Sequence, residues 1–393
     1  MISLTTAESA LKDAYLDAVC NQLNTNANPL LAKIKQSSAD VYGKDIIKMA
    51  PIGLNGGVGA GGETDALPQV KGNRYAQFKT TLKNLYGQIA ISDKAIRASQ
   101  SNSGAFVDLL NAEMEGLLTA SKFNLGRMLY GDGSGALGVV DSVSNKVITL
   151  NSVKNFAEGM CIDFYNEDTL AVGKLRVLSV DRINKTITVD STPTGVLKDS
   201  VAYVQGSKGN EITGLGAIFG SSATLYGLTR SENGWLKPYT SSPASATEIS
   251  DSLLQTAVDY LSENSGSEID IITCGSAVRR AYMQYLACYR RNIDVMNLAG
   301  GYKAVAFNGI PVVADRFVED DSLYMLDSSK FTLHQLCDWE WLEGENGNIL
   351  HQNAGYPTYT ATLVKYADLI CDQPNGQAKF TNISSTVTNP FAS

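Results

Sequence analysis

The stretch TTLKNLYGQIAISDKAIRASQSNSGAFVDLLNAEMEGLL, residues 80–118, changes its hydrophobic period halfway. Its first part continues a pattern that begins at Arg74. Phe78, Thr80 and Leu82 share one face, and Gln77, Lys79 and Lys83 share the other. Leu85, Ile89 and Ile91 continue at even spacing, so the segment 74–92 predicts an extended strand. Its second part opens a helix over 101–131. Phe106, Leu110, Met114, Leu117, Leu118, Leu125, Met128 and Leu129 recur at spacings of three and four. Ser103 suits the N-cap and Gly131 the stop. Roughly 27 residues at 1.5 Å each give a rod of about 40 Å, whose apolar stripe needs a sheet to pack on.

Upstream, DIIKMAPI (45–52) is short and partly strand-like, and seven glycines fall between 53 and 72. Gly57, Gly59 and Gly62 match the G-x-G-x-x-G of a dinucleotide loop. That loop requires a helix behind it, and Pro68 and Gly72 break any helix there. Lys83 and Asn84 stand where the acidic ribose ligand belongs. The glycines instead make the pliable tip of a long hairpin arm, which has too little surface to stay folded alone and should lie on something else, a neighbouring subunit being one such support. Residues 71–97 carry Lys71, Arg74, Lys79, Lys83, Lys94 and Arg97 against the single acid Asp93. Acids gather at Glu319, Asp320 and Asp321 and at Asp338, Glu340, Glu343 and Glu345, which suits docking between copies as well as two solvated faces. Lys71, Arg74, Lys79, Lys83 and Arg97 are the candidate contact residues.

The 393 residues are 44% hydrophobic and 18% charged, enough for a sizeable core. A net charge of −8 excludes a uniformly basic nucleic-acid coat, although not passive contact with nucleic acid. Six cysteines form no CxxC and read as small hydrophobes. Two histidines, His334 and His351, are too few for a His-rich metal site or a triad. No catalytic, cofactor or metal residues emerge. Asp270, Asp315 and Asp327 lie in or near predicted strands and could in principle supply carboxylates to an enzyme, but they read as ordinary strand-end or turn acids. The N-terminus lacks the basic region of a signal peptide, and no run of 18 apolar residues exists.

Beyond the helix, GDGSGALG (131–138) lacks the Lys-Ser/Thr of a phosphate loop and reads as a stop and turn. Five short strands then follow, at 147–150, 160–165, 175–181, 186–190 and 201–204, as in a small β-barrel or sandwich. After a loop-rich stretch, Ser245 and Glu248 form a capping box for a helix through Leu261. A strand at 269–273, a helix from about Ser276 to Arg290, and two strands joined at Asn308-Gly309 complete an α/β region. SLYMLD (322–327) is a further strand, and 338–370 is mostly strand-like.

In this order the elements resemble the major capsid proteins of tailed bacteriophages, a fold shared with encapsulins and herpesvirus capsid shells. The residues that carry the resemblance are 80–118, NLGRMLYGDGSG (124–135) and FNGIPVVADRFVEDDSLYMLD (307–327), and the match in order spans roughly 45–370. The resemblance implies an α+β capsid fold. Residues 1–44 would be an N-terminal arm, 45–92 an extended loop, and 93–138 the spine helix of a peripheral domain. An inserted β-barrel-like module would occupy 139–206, a peripheral connection 207–245, an axial domain 246–337, and C-terminal peripheral strands and tail 338–393. It implies a non-enzymatic shell protein, assembled in a bacterial host's cytoplasm into hexamers and pentamers of an icosahedral virion around double-stranded DNA. Scaffolding, portal and decoration proteins would be partners, with no membrane and no cofactor. With only 44 residues before the loop, a separate scaffold is expected. Relatives that cross-link use a loop lysine; Lys71 lies near the tip, but no partner is assigned and no cross-link is expected. The alternatives are an encapsulin-type protein-cargo compartment, a soluble α/β enzyme, and an adhesin built from the β module, which the missing secretion signal disfavours.

Overall fold

The computed structural model describes residues 28–53, 55–64, 66, 69–94, 103–289, 295–297, 303–344 and 347–388. Three hydrophobic cores organise them.

The first core lies around the strand β22 (Thr358–Cys371). On one side β22 pairs antiparallel with β20 (Phe331–Trp341) and, near its start, with β21 (His351–Gln352). On the other it pairs antiparallel with β5 (Lys83–Ser92). β1 (Lys35–Ser37) adds to β20 in parallel. Helix α1 (Ser103–Tyr130) crosses β5, with Leu117 seated over the bare backbone of Gly87. β5 accordingly buries Leu85, Ile89 and Ile91 and exposes Tyr86, Gln88 and Ala90. β22 is buried on both faces and reads as a nearly continuous apolar run. Two charged residues interrupt it, and both are satisfied. The Lys365 ammonium donates to Asp338 Oδ1 at 2.7 Å and Gln36 Oε1 at 3.1 Å. The Asp368 carboxylate accepts from Thr80 Oγ1 at 2.6 Å and from the Thr213 amide at 2.6 Å. Burial pushes the Asp368 pKa up, while the Thr80 and Thr213 hydrogen bonds oppose the rise.

The expected single return strand 74–92 is two strands. β3 (Asp45–Ile52) pairs with β4 (Arg74–Thr81), and β2 (Val41–Tyr42) extends this small sheet. The inward residues have even numbers through Phe78, Thr80 and Leu82, then odd numbers from Leu85. A pleated strand cannot change parity without a break, and the break falls at Leu82.

The second core is a seven-stranded sheet, ordered β14-β23-β19-β15-β18-β17-β16, packed against two helices. Its strands are β14 (Tyr239–Ser241), β15 (Ile271–Cys274), β16 (Val295–Asn297), β17 (Lys303–Phe307), β18 (Ile310–Ala314), β19 (Leu323–Leu326) and β23 (Ala378–Phe380). Asn308 and Gly309 both take positive φ between β17 and β18, as a tight two-residue hairpin demands. Helix α2 (Asp251–Ser265) begins later than the capping box at Ser245 predicts. Ser250 is the cap, accepting from the Leu253 amide, and Gly266 closes the helix in the left-handed region. Glu248 binds Thr388 instead. Helix α3 (Ser276–Tyr289) follows β15.

The third core fills a closed barrel. Its strands are β6 (Ala136–Ser144), β7 (Val147–Leu150), β8 (Cys161–Asn166), β9 (Thr169–Asp181), β10 (Thr186–Val189) and β11 (Val201–Val204). Five strands were expected here. The sixth, β6, begins inside the glycine cluster read as a turn. Where the chain leaves the barrel, the Gly209 amide donates to Ser134 O at 2.8 Å, so the two ends of the module meet. Lys154 ties the barrel to the loop between β18 and β19 through Val318 O and Asp320.

The connection from the barrel to β14 contains the short pair β12 (Thr224–Leu225) and β13 (Leu228–Thr229). Gly214 lies so close under the end of α1 that a Cβ there would fall 2.3 Å from Met128 O and 2.6 Å from Gly131 O. Nearby, Arg127 and Glu211 form a buried two-pronged ion pair, at 2.9 Å and 2.5 Å. Cys274 and Cys371 sit in the cores, and burial pushes the Cys274 thiol up to about 12. No helix among the described residues is long and apolar enough to cross a membrane.

Candidate assembly surfaces

The β3–β4 hairpin is the arm. Register fixes its two faces, because opposed residues in an antiparallel pair share a side. Ile46, Lys48 and Ala50 lie with Thr80, Phe78 and Ala76 on the inner face. Ile47, Met49 and Pro51 lie with Lys79, Gln77 and Tyr75 on the outer face.

The inner face anchors the base of the arm to its own chain. Phe78 is fully buried, with its ring 5.3 Å from Tyr226 and 5.5 Å from Trp235. Tyr226 holds three elements at once. Its carbonyl accepts from the Lys79 amide, its hydroxyl accepts from the Cys371 amide, and its ring meets Phe78. It does so at φ +50°, a conformation that bulky residues rarely adopt. Arg230 stabilises this loop by donating to the carbonyls of Ala217, Ile218 and Leu236. The Thr80–Asp368 hydrogen bond and a 2.7 Å Lys48–Asp372 ion pair complete the attachment. The base of the arm is therefore seated on its own body rather than wholly dependent on a neighbour.

Beyond Ala50 and Ala76 the arm projects. The described residues from Gly53 to Tyr75 are almost all exposed, including Val58 and Val70. The outer face carries an apolar stripe of Tyr42, Ile47, Met49, Pro51 and Tyr75, with Met49 and Tyr75 each more than half exposed. The sequence reading missed this stripe, although the apolar residues at both parities of DIIKMAPI were its signal.

The basic candidates lie along the same hairpin. Lys71 is exposed at the tip beside Gly56, and Arg74 opens β4 opposite Ile52. Lys79 lies on the outer face, 3.5 Å from Asp45 and largely exposed. Lys83 instead turns to its own chain and donates to Gly209 O at 3.0 Å. Arg97, the residues 1–27 of the expected N-terminal arm, and Glu345 lie outside the described residues.

A second surface is formed by exposed residues of β5 and β20 on either side of the buried β22. Glu340, Val364 and Tyr86 form one row across β20, β22 and β5. Tyr86 meets Tyr366 edge-on at 6.5 Å and is 60% exposed. Leu336 and Leu342 are also exposed on or just after β20. Of the acids, Asp338 is paired with Lys365 and Asp320 with Lys154, while Glu340 remains exposed. The three carboxylates weighed for chemistry have structural partners. Asp270 binds Lys33 and Ser328, Asp327 binds Ser267 and Ser329, and Asp315 binds Tyr130 and the Phe317 amide.

No family model matches the chain, and no curated protein matches it. Solved structures do. The capsid asymmetric unit of cyanophage A-1(L) superposes with a TM-score of 0.53 at 12% identity, covering 92% of each chain. The holo encapsulin complex of Synechococcus elongatus gives 0.48 at 10% identity, over 92% of this chain and 89% of that one. The empty gene-transfer-agent (GTA) capsid gives 0.46 at 11% identity, over 91% and 90%.

Proposed function

We propose that this chain, whose fold is that of the major capsid proteins of tailed bacteriophages, is itself such a protein and closes an icosahedral head. Hexamers and pentamers of it would enclose double-stranded DNA in the virion, after assembly in the host cytoplasm with scaffolding and portal proteins. The barrel would be an insertion in the peripheral domain that protrudes outward or supports subunit contacts. The observation that carries the reading is the fold match over 92% of both chains, together with an arm that projects from its own body.

Assembly needs complementary surfaces rather than bond-making chemistry. The arm offers an apolar stripe edged by Arg74, Lys79 and Lys71. The main sheet offers Tyr86, Tyr366, Leu342 and Glu340. Burying Met49 and Tyr75 against a sister copy removes apolar area at about 25 cal/mol per Å2, and each weak contact is repeated throughout a closed shell. A net charge of −8 fits a container that holds DNA without gripping it.

Electron microscopy of the overexpressed protein tests the reading directly, with closed particles as the expected result. The double variant Met49→Ser, Tyr75→Ser should leave the thermal unfolding of the subunit unchanged and reduce particle yield at least tenfold. Normal yield from that variant would refute arm docking, and an unassembled wild-type chain would refute the shell. An encapsulin-type compartment is the second reading; protein rather than nucleic acid inside purified particles would favour it.

A further inference from the structure

One groove lies apart from both assembly surfaces. It encloses about 510 Å3 between β14, α2 and the turn before β23, and Trp235, Lys237, Tyr239, Tyr260 and Asn375 line it. Its aromatic rings are fixed in place. Tyr239 is wedged between Tyr260 at 4.6 Å and Phe380 at 5.8 Å, and Trp235 packs tilted against Phe78 at 5.5 Å. Among the described residues, nothing bonds to the Tyr239 and Tyr260 hydroxyls, the Lys237 ammonium or the Asn375 amide. Asn264 also lines the groove, its amide nitrogen tethered to Tyr260 O. No acidic side chain lines the groove, so Lys237 is its only charge.

We propose that this groove binds an acidic saccharide. Each part of the ligand has a counterpart. The C–H faces of pyranose rings lie against Trp235 and the exposed ring of Tyr260, which Tyr239 backs. Sugar hydroxyls meet the two phenols and the Asn375 amide, which donate and accept in turn. A sugar carboxylate meets Lys237 in a charge-assisted hydrogen bond. Because packing already fixes the rings, binding loses little side-chain freedom. Single-stranded nucleic acid would also stack on aromatic rings, but it needs a basic track, and one lysine does not make one. The inference does not depend on shell assembly, because a single chain supplies the whole groove.

The test uses the full-length protein, assembled or not, with a short oligogalacturonate as probe and tryptophan fluorescence plus saturation-transfer NMR as readouts. Saturable binding is expected. Tyr260→Ala should weaken it about tenfold, the factor that ~1.4 kcal/mol represents. Tyr260→Phe, which keeps the ring, should weaken it less. Lys237→Gln should weaken oligogalacturonate but not a neutral malto-oligosaccharide of equal length. No saturable binding, an unchanged affinity in Tyr260→Ala, or tighter binding of an oligothymidylate that the same substitution abolishes would each overturn the proposal. Unchanged particle yield and thermal unfolding of the variants separate loss of the site from loss of the fold.

Discussion

Among single residues, the buried polar groups have the clearest consequences. His334 Nδ1 lies 2.9 Å from Ala39 O, so that nitrogen carries the proton. Nε2 is then buried without a partner, and burial lowers the His334 pKa from 6.5. The folded state favours the neutral ring, and the unfolded chain takes up a proton first as pH falls. Stability should therefore decline as pH drops through about 6.5 and be level above it, and His334→Gln should flatten that slope in urea titrations. Asp368 has the opposite sign. Its raised pKa makes its contribution complete below the unfolded value of 3.8, and that contribution is lost as pH rises through the folded value. Asp368→Asn should still cost about 1–3 kcal/mol, because an amide nitrogen would then face the donors Thr80 and Thr213. Removing one side of the Arg127–Glu211 pair should cost about 3–5 kcal/mol by chemical denaturation, and replacing both with apolar residues should recover most of it. These partnerships were not legible in the sequence: Arg127 and Glu211 are separated by the whole barrel, and no local pattern joins them.

Among elements, the anchoring of the arm makes Phe78→Ala a stability variant, costing about 3–5 kcal/mol, while Tyr75→Ser at an exposed position should leave stability unchanged. Gly214→Ala should overpack the end of α1 by about 1–3 kcal/mol or more, because the atoms it meets are carbonyls of the backbone. Thermal unfolding checks both. The long helix, the Asn308-Gly309 hairpin and most strands were readable, because their periods and turn residues are local. The break at Leu82 shows only in the parity of the apolar residues. The first barrel strand hid behind glycines that mimic a stop, and the true cap of α2, Ser250, competed with a good capping box at Ser245. On the arm, the exposed Lys71, Arg74 and Lys79 could be picked out from composition, whereas Lys83 turns to its own chain. The apolar stripe required knowing which residues of β3 and β4 stand opposite one another, and register is a property of the folded pair.

For the whole molecule, the first two cores share a sheet, with Ile271 and Tyr324 in one and Ile272 and Met325 in the other, while the barrel core stands apart, so calorimetry should resolve the barrel from the rest. The barrel has its own closed sheet and core, and its ends meet at the Gly209–Ser134 hydrogen bond. Residues 136–206 expressed alone should fold, and the chain with a short Gly-Ser bridge in their place should keep the other two cores, as circular dichroism of each piece would reveal. That meeting of ends also makes the junction indifferent to its cargo. Any foreign domain whose termini lie a hydrogen bond apart can stand where the barrel stands, so the rest of the chain and the cassette mounted on it are free to diverge at different speeds.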